Sequence, residues 1–155
     1  MMVKQFFRKA KLSDALELSE IRRGVFGNIP GETYSNKLIK VLTQDYSPEN
    51  IKKKIKKYST FCLVNGKEII GSISLQGSEI KGVFVKFNYT RKGIGTKLMD
   101  FIEDYAKKKG LKKVHLWSAE KARGFYKKLG YKLVKKVKKN YKGASNINFV
   151  MEKRL

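Results

Sequence analysis

The order of apolar and polar positions divides the chain into short alternating runs and longer stripes at helical spacing. Residues 3–9 alternate and predict a first strand. Ser13 and Asp14 are suited to cap a helix running to about Arg23, with Leu18, Ile21 and Val25 three to four residues apart. Residues 24–46 hold glycines, a proline and polar side chains together with Tyr34 and Tyr46, and read as irregular. Ser47-Pro48-Glu49 has the order of a helix start (a hydroxyl cap, proline at the first position, an acid in the first turn), and Ile51, Ile55 and Tyr58 form the stripe that follows. Residues 60–64 and 69–75 are strands joined by a turn at Asn65-Gly66, and residues 79–87 are a further strand. From 93 to 109, Ile94, Leu98, Phe101, Ile102 and Tyr105 share one helix face, with lysines gathered in the last turn before Gly110, where the helix dipole favours them. A strand at 114–117, a helix at 120–129 closed by Gly130, and strands at 131–137 and 147–152 complete the series. The predicted order β-α-α-β-β-β-α-β-α-β-β gives a fold of the α/β type, a mixed sheet carrying helices on its faces.

Composition narrows what this fold does. A chain of 155 residues fits one domain, spanning 1–155, and 41% hydrophobic with 12% aromatic residues suffices for a real core. One cysteine (Cys62) and one histidine (His115) exclude a disulfide framework and a structural zinc site, and a triad hydrolase would depend on His115 alone. Cys62 and His115 both read as packing residues on strands. No stretch reaches the ~20 apolar residues of a membrane span, and the N-terminus lacks the apolar block of a secretory signal. The expectation is a soluble, cytoplasmic protein without metal.

Lysine and arginine number 36 against 13 aspartate and glutamate, so the formal charge is 36 − 13 = +23. The lysines spread over nearly every segment. That is a cationic solubilising surface or a surface for polyanions, and both readings stand. The lysine run from 52 to 57 is either a solvated helix face or a polyanion or membrane contact.

The segment from Val83 to Thr96 carries the chemistry. A buried strand enters a turn with Gly93 and Gly95 that opens directly into a long helix. Such a bend directs several unpaired N–H groups into one space, at the positive end of the helix dipole, and suits a diphosphate. Arg91, Lys92 and Lys97 add charge around it. The Gly-Lys-Ser/Thr ending of a nucleotide P-loop and the third glycine of a dinucleotide fingerprint are both missing.

Thr90-Arg-Lys-Gly-Ile-Gly95 resembles the acetyl-CoA motif Gln/Arg-x-x-Gly-x-Gly/Ala of the GNAT superfamily of N-acetyltransferases, with Thr90 where Gln or Arg is usual and Arg91 beside it. A second block, Ala122-Arg-Gly-Phe-Tyr-Lys-Lys-Leu-Gly-Tyr131, resembles the same family, about 30 residues further on, and the terminal residues 148–155 are similar to its last strand. The resemblance covers essentially the whole chain. It implies a sheet splayed between the fourth and fifth strands, with Val83, Phe84 and Val85 bonding the pantetheine arm through their backbone. It further implies that Arg91, Lys92, Gly93, Ile94, Gly95 and Thr96 hold the diphosphate, and that an N–H near Val85 polarises the thioester carbonyl.

Tyr126 aligns with the family's common general acid, the other reading being a core aromatic beside Phe125. Glu79, eleven residues before Thr90, falls where several members place a base; the alternatives are an exposed turn residue or a water chain with no dedicated base. Arg123 reaches either the 3′-phosphate of CoA or solvent. The asparagine that many members carry before this helix is absent, with Ala119 and Lys121 at the candidate places.

The resemblance thus implies direct acetyl transfer from acetyl-CoA to a primary amine. The acceptor would lie near the first helices, where Glu32 and Tyr34 are the named candidates and Glu17, Glu20 and Tyr46 are also available. The charge of +23 disfavours a polyamine and favours an amine on an anionic scaffold, such as a ribosomal protein in its particle or an amine-bearing nucleotide. Expected partners are acetyl-CoA, the amine, a polyanion or the ribosome, and a second copy in a homodimer. The competing reading is a GNAT-like nucleic-acid- or ribosome-binding module whose catalysis is weak or lost.

Overall fold

The computed structural model describes residues 4–28 and 35–155. Seven strands form one sheet in the spatial order β1 (Gln5–Lys9), β2 (Ser59–Asn65), β3 (Glu68–Gln76), β4 (Glu79–Val85), β5 (Lys113–Ser118), β7 (Ala144–Arg154) and β6 (Lys132–Tyr141). All neighbours are antiparallel except β4 and β5, which run parallel. The connection between these two is the long helix α4 (Ile94–Lys108), as parallel neighbours require. The remaining helices are α1 (Ala15–Asn28), α2 (Asn36–Asp45), α3 (Pro48–Lys57) and the short α5 (Arg123–Lys128).

The alternation of the strands builds a core on each side of the sheet. Leu63, Ile70, Ile73 and Leu75 join Leu98, Met99, Ile102 and Ala106 of α4, while Cys62, Val64 and Ile69 join Leu18 and Ile21 of α1 and Ile51 of α3. Each face is thus closed by the apolar stripe of a helix whose other residues are charged, which is what holds it in place. Cys62 is fully buried, and burial pushes its thiol up to about 12. No described helix is long and apolar enough to cross a membrane.

Three local expectations need correction. Residues 36–45, read as irregular, form α2. Ser35 caps it by accepting from the Leu38 N–H at 3.1 Å, and the glycines and proline that suggested a loop lie in the residues before it. Helix α1 continues five residues beyond Arg23, and its start is set differently from a Ser13 or Asp14 cap. Asp14 sits in a 3₁₀ turn, Leu12–Asp14, accepting from the Lys11 N–H at 2.7 Å and forming a bidentate pair with Arg8 at 2.7 and 2.9 Å. The β2–β3 turn is Gly66-Lys67, one residue later than Asn65-Gly66. Asn65 and Glu68 are register partners, and Gly66 takes the left-handed conformation at φ +67°.

The feature that shapes the site is a bulge in β4. Ser74 pairs with Lys81 but Ser72 pairs with Phe84, so Gly82 at φ +59° and Val83 together oppose Ile73. The extra residue reverses which positions point to which side. Ile80, Val83 and Val85 face α4, whereas Glu79, Lys81 and Phe84 lie on the side of α1 and α3.

Candidate active site

Strands β4 and β5 are in register at only two pairs, Glu79 with His115 and Ile80 with Leu116. Beyond these the strands diverge: residues 81–85 stay paired to β3 and residues 117–118 to β7, with no ladder between them. The hydrogen-bond alternation then decides which backbone groups face the gap. Lys86 N–H donates to Ile70 C=O at 2.8 Å, so the next bonded pair is Phe84 with Ser72, and the N–H and C=O of Val85 turn away from β3. The gap thus presents unpaired strand backbone from Val85. Phe84 instead directs its polar backbone to β3 and its ring to the α1 side.

At the end of this strand a 3₁₀ turn, Phe87–Tyr89, leads into the glycine bend. The turn is tied to the β2–β3 hairpin: Tyr89 Oη donates to Glu68 at 3.0 Å, Lys86 pairs with the same carboxylate, and Asn65 Nδ2 donates to Tyr89 Oη at 3.2 Å. The Thr90 hydroxyl donates to Phe87 C=O at 2.8 Å, so Thr90 closes the turn. Arg91 at φ +63° and Gly93 at φ +76° then reverse the chain into α4. Gly93 stands at the N-cap with no side chain to offer, and among the described residues no side chain accepts from the first-turn amides. The two glycines differ in purpose. A β-carbon on Gly93 would meet nothing within 4 Å, so its backbone conformation is what demands glycine, whereas one on Gly95 would stand 3.1 Å from Phe125 Cζ. Lys97, one of the cations expected to surround the bend, instead donates to Gln5 Oε1 at 2.7 Å.

Phe125 links this bend to α5. Its ring meets that of Tyr126 edge-on at 5.1 Å, and Tyr126 meets Tyr131 at 5.9 Å. Tyr126 is 9% exposed and belongs to the apolar cluster that contains Ile80, Leu116 and Ile94. Burial pushes its phenol up to about 12, so the hydroxyl keeps its proton through the neutral range. Arg123 lies with its guanidinium 4.0 Å from the Phe149 ring centroid and lines a groove of ≈ 740 Å³ with Glu120, Lys127 and Leu133. That groove runs along α5 and β6, apart from the strand gap.

Glu79 is at the first of the two paired positions, immediately before Ile80, after which the strands diverge. Its carboxylate is 3.6 Å from Lys81 Nζ and 3.8 Å from His115 Nε2, and His115 Nδ1 is 3.3 Å from Ser78 Oγ. His115, read from sequence as packing, is thus half-exposed beside the candidate base. Parallel register brings the two together, and spacing along the chain gave no sign of it. Glu17 does structural work, accepting from the Ile69 N–H at 2.8 Å beside the irregularity in β2, and Glu20 is exposed. Glu32 and Tyr34 lie outside the described residues. Two cations also escaped the sequence reading. Arg22 is buried against Phe84 and Tyr46, and Lys54 Nζ lies 4.6 Å from the Tyr46 ring centroid.

Similarity to known proteins agrees with this geometry. The chain is 37% identical over 75 residues to probable N-acetyltransferase 14 of Xenopus tropicalis, covering 43% of this chain and 36% of that protein, so it spans little more than a third of that relative's length. Its fold superposes on a GCN5-related N-acetyltransferase from Rhodopseudomonas palustris with a TM-score of 0.91 at 20% identity, covering 100% of this chain and 98% of that one. It also superposes on the PaiA N-acetyltransferase from Thermoplasma acidophilum, solved in complex with coenzyme A, with a TM-score of 0.77 at 23% identity over 98% and 99% of the two chains. Residues 31–153 match the family model of the GNAT acetyltransferase domain, and the chain belongs to that family.

Proposed function

We propose that the protein is an acetyl-CoA-dependent N-acetyltransferase that moves an acetyl group directly to a primary amine. The observation that carries this reading is the coincidence of two unpaired backbone surfaces: the Val85 edge of the strand gap and the uncapped first turn of α4. These fit the two polar parts of coenzyme A. The amides of Ile94, Gly95 and Thr96, with those of Arg91, Lys92 and Gly93, take the diphosphate at the positive end of the helix. The backbone of Val83 and Val85 takes the amide-bearing pantetheine arm as an added strand takes a ladder. Arg123 is the cation available to the 3′-phosphate.

When bound, acetyl-CoA supplies a thioester whose carbonyl carbon accepts an amine. The chain's residues supply the rest. The Val85 N–H donates to the carbonyl oxygen as negative charge grows there. Glu79 takes a proton from the incoming amine, with Lys81 and His115 holding its carboxylate in place. As the new C–N bond forms and the C–S bond breaks, the Tyr126 hydroxyl gives its proton to the departing thiolate. Tyr126 regains a proton, and Glu79 loses one, through solvent. Glu32 and Tyr34 are proposed to contact the acceptor.

The test is free-thiol release from acetyl-CoA with a panel of amines, polyamines and peptides, run alongside melting of the protein with and without CoA. Stabilisation by CoA and amine-dependent thiol release are expected. Nucleic-acid binding with a steep salt slope and no effect of CoA would favour the binding-module reading instead.

A further inference from the structure

Arg22 projects from α1 onto the bulge of β4 and is 3% exposed. Among the described residues its Nε has no hydrogen-bond partner, and its Nη2 reaches only Ser72 Oγ, at 3.5 Å. No carboxylate among the described residues pairs with it; its neighbours are ring faces, Phe84 at 5.0 Å and Tyr46 at 5.8 Å from the guanidinium carbon. Gly82 makes room for the group, since a β-carbon there would stand 3.3 Å from Nη2. Lys54 brings a second positive charge to the same Tyr46 ring, and Lys81 sits 4.9 Å from the centroid of neighbouring Tyr58. Burial and the nearby Arg22 charge both pull the Lys54 ammonium below its ordinary range.

A guanidinium taken out of water is costly, and two ring faces offset only part of the lost hydration. Proteins that bury an arginine for structure normally pair it with an acid, and here even the half-buried Arg8 is paired with Asp14. Phe84 belongs to β4, the strand whose free edge at Val85 faces the proposed thioester, so this cationic cluster packs on the strand of the transfer site, on the face that also carries Glu79. Resting on the N-acetyltransferase reading, we propose that Arg22, supported by Lys54, is the recognition site for an oxyanion on the acceptor, and that the substrate is a small amine bearing a carboxylate or phosphate. Arginine's fork matches either group through two parallel hydrogen bonds.

The experiment uses the full chain and matched amines: O-phosphoethanolamine against ethanolamine, and β-alanine against β-alaninamide. Melting is measured with each, with and without CoA, and kcat/KM for acetyl transfer is compared within each pair. The anionic member is expected to stabilise the protein and to have at least about tenfold higher kcat/KM, the two pairs telling phosphate from carboxylate. Arg22→Met is expected to raise the melting temperature of the ligand-free protein, because an unpaired buried charge is removed, and to abolish the preference within each pair. Arg22→Lys, which keeps charge without the fork, is expected to retain part of it. Equal responses of the wild-type protein to both members of each pair overturn the proposal, even if the variants fail to fold. So does an Arg22→Met protein that melts lower and discriminates as before. CoA stabilisation without anion preference sinks the subsite and leaves the transferase standing, whereas anion preference without any CoA effect does the reverse.

Discussion

Gly95 and Phe125 pack closely across the α4–α5 junction: a β-carbon placed on Gly95 would meet Phe125 Cζ at a tight 3.1 Å and Cε1 at 3.5 Å. Gly95→Ala is expected to push the ring aside at a cost of about 1–3 kcal/mol and to weaken CoA binding by shifting the first turn. Gly93→Ala costs about 1–2 kcal/mol for a different reason, the left-handed backbone. A double-mutant cycle with Phe125→Leu distinguishes them. The shorter side chain should rescue Gly95→Ala and leave Gly93→Ala unchanged, as read by melting and by CoA titration.

Tyr126→Phe removes one hydroxyl and keeps the edge-on contacts with Phe125 and Tyr131. CoA affinity should be unchanged and kcat should fall by about 10²-fold. Because burial holds the phenol up to about 12, the wild-type kcat should show no loss from Tyr126 ionisation below about pH 10. Wild-type turnover in the variant would assign the proton to another donor.

Glu79→Gln removes the group proposed to accept the amine's proton and keeps its shape. The expected signature is a pH-dependent defect of about 10²-fold near neutrality that shrinks as pH rises, because a growing fraction of the amine then arrives already neutral. Steady-state kinetics across pH with one amine reads this. A defect of constant size would make Glu79 a packing or positioning group.

Asp14 gives a stability prediction independent of catalysis. Its hydrogen bonds from Arg8, and from the Lys11 N–H, hold the carboxyl below the ordinary carboxylate range despite burial. A pKa lowered on folding stabilises the native state fully above the unfolded value of about 3.9, and that contribution disappears as pH falls through the folded value. Asp14→Asn is therefore expected to cost about 2 kcal/mol at pH 7 and progressively less below pH 4. Urea unfolding of both proteins between pH 2 and 7 checks the convergence.

The fold was largely legible because its helices carry strong local signals. Ser47 caps α3 by accepting from the Asn50 N–H at 3.3 Å, with Pro48 at the first position, and the α4 stripe buries Ile94, Leu98 and Ile102 as its spacing required. Helix α2 escaped because the glycines and proline before it outweighed a short run of Leu38, Ile39 and Leu42. The β4 bulge also escaped, since one glycine in a strand does not reveal which neighbour it opposes, and with it went the knowledge that Lys81 and Phe84 share a face with Glu79. The glycine bend could be read because its conformational demands are local. The Glu79–His115 and Arg22–Phe84 neighbours could not, because they depend on strand register and on how α1 crosses the sheet, 36 and 62 residues apart in sequence.

The most direct measurement is a titration of the ¹⁵N-labelled protein with CoA, following the amide resonances of Ile94, Gly95 and Thr96, with ADP and pantetheine as the separated halves of the ligand. Saturable shifts of these three amides with CoA and with ADP, and not with pantetheine, are expected if the first turn of α4 grips a diphosphate. Unmoved resonances at saturating CoA would contradict that.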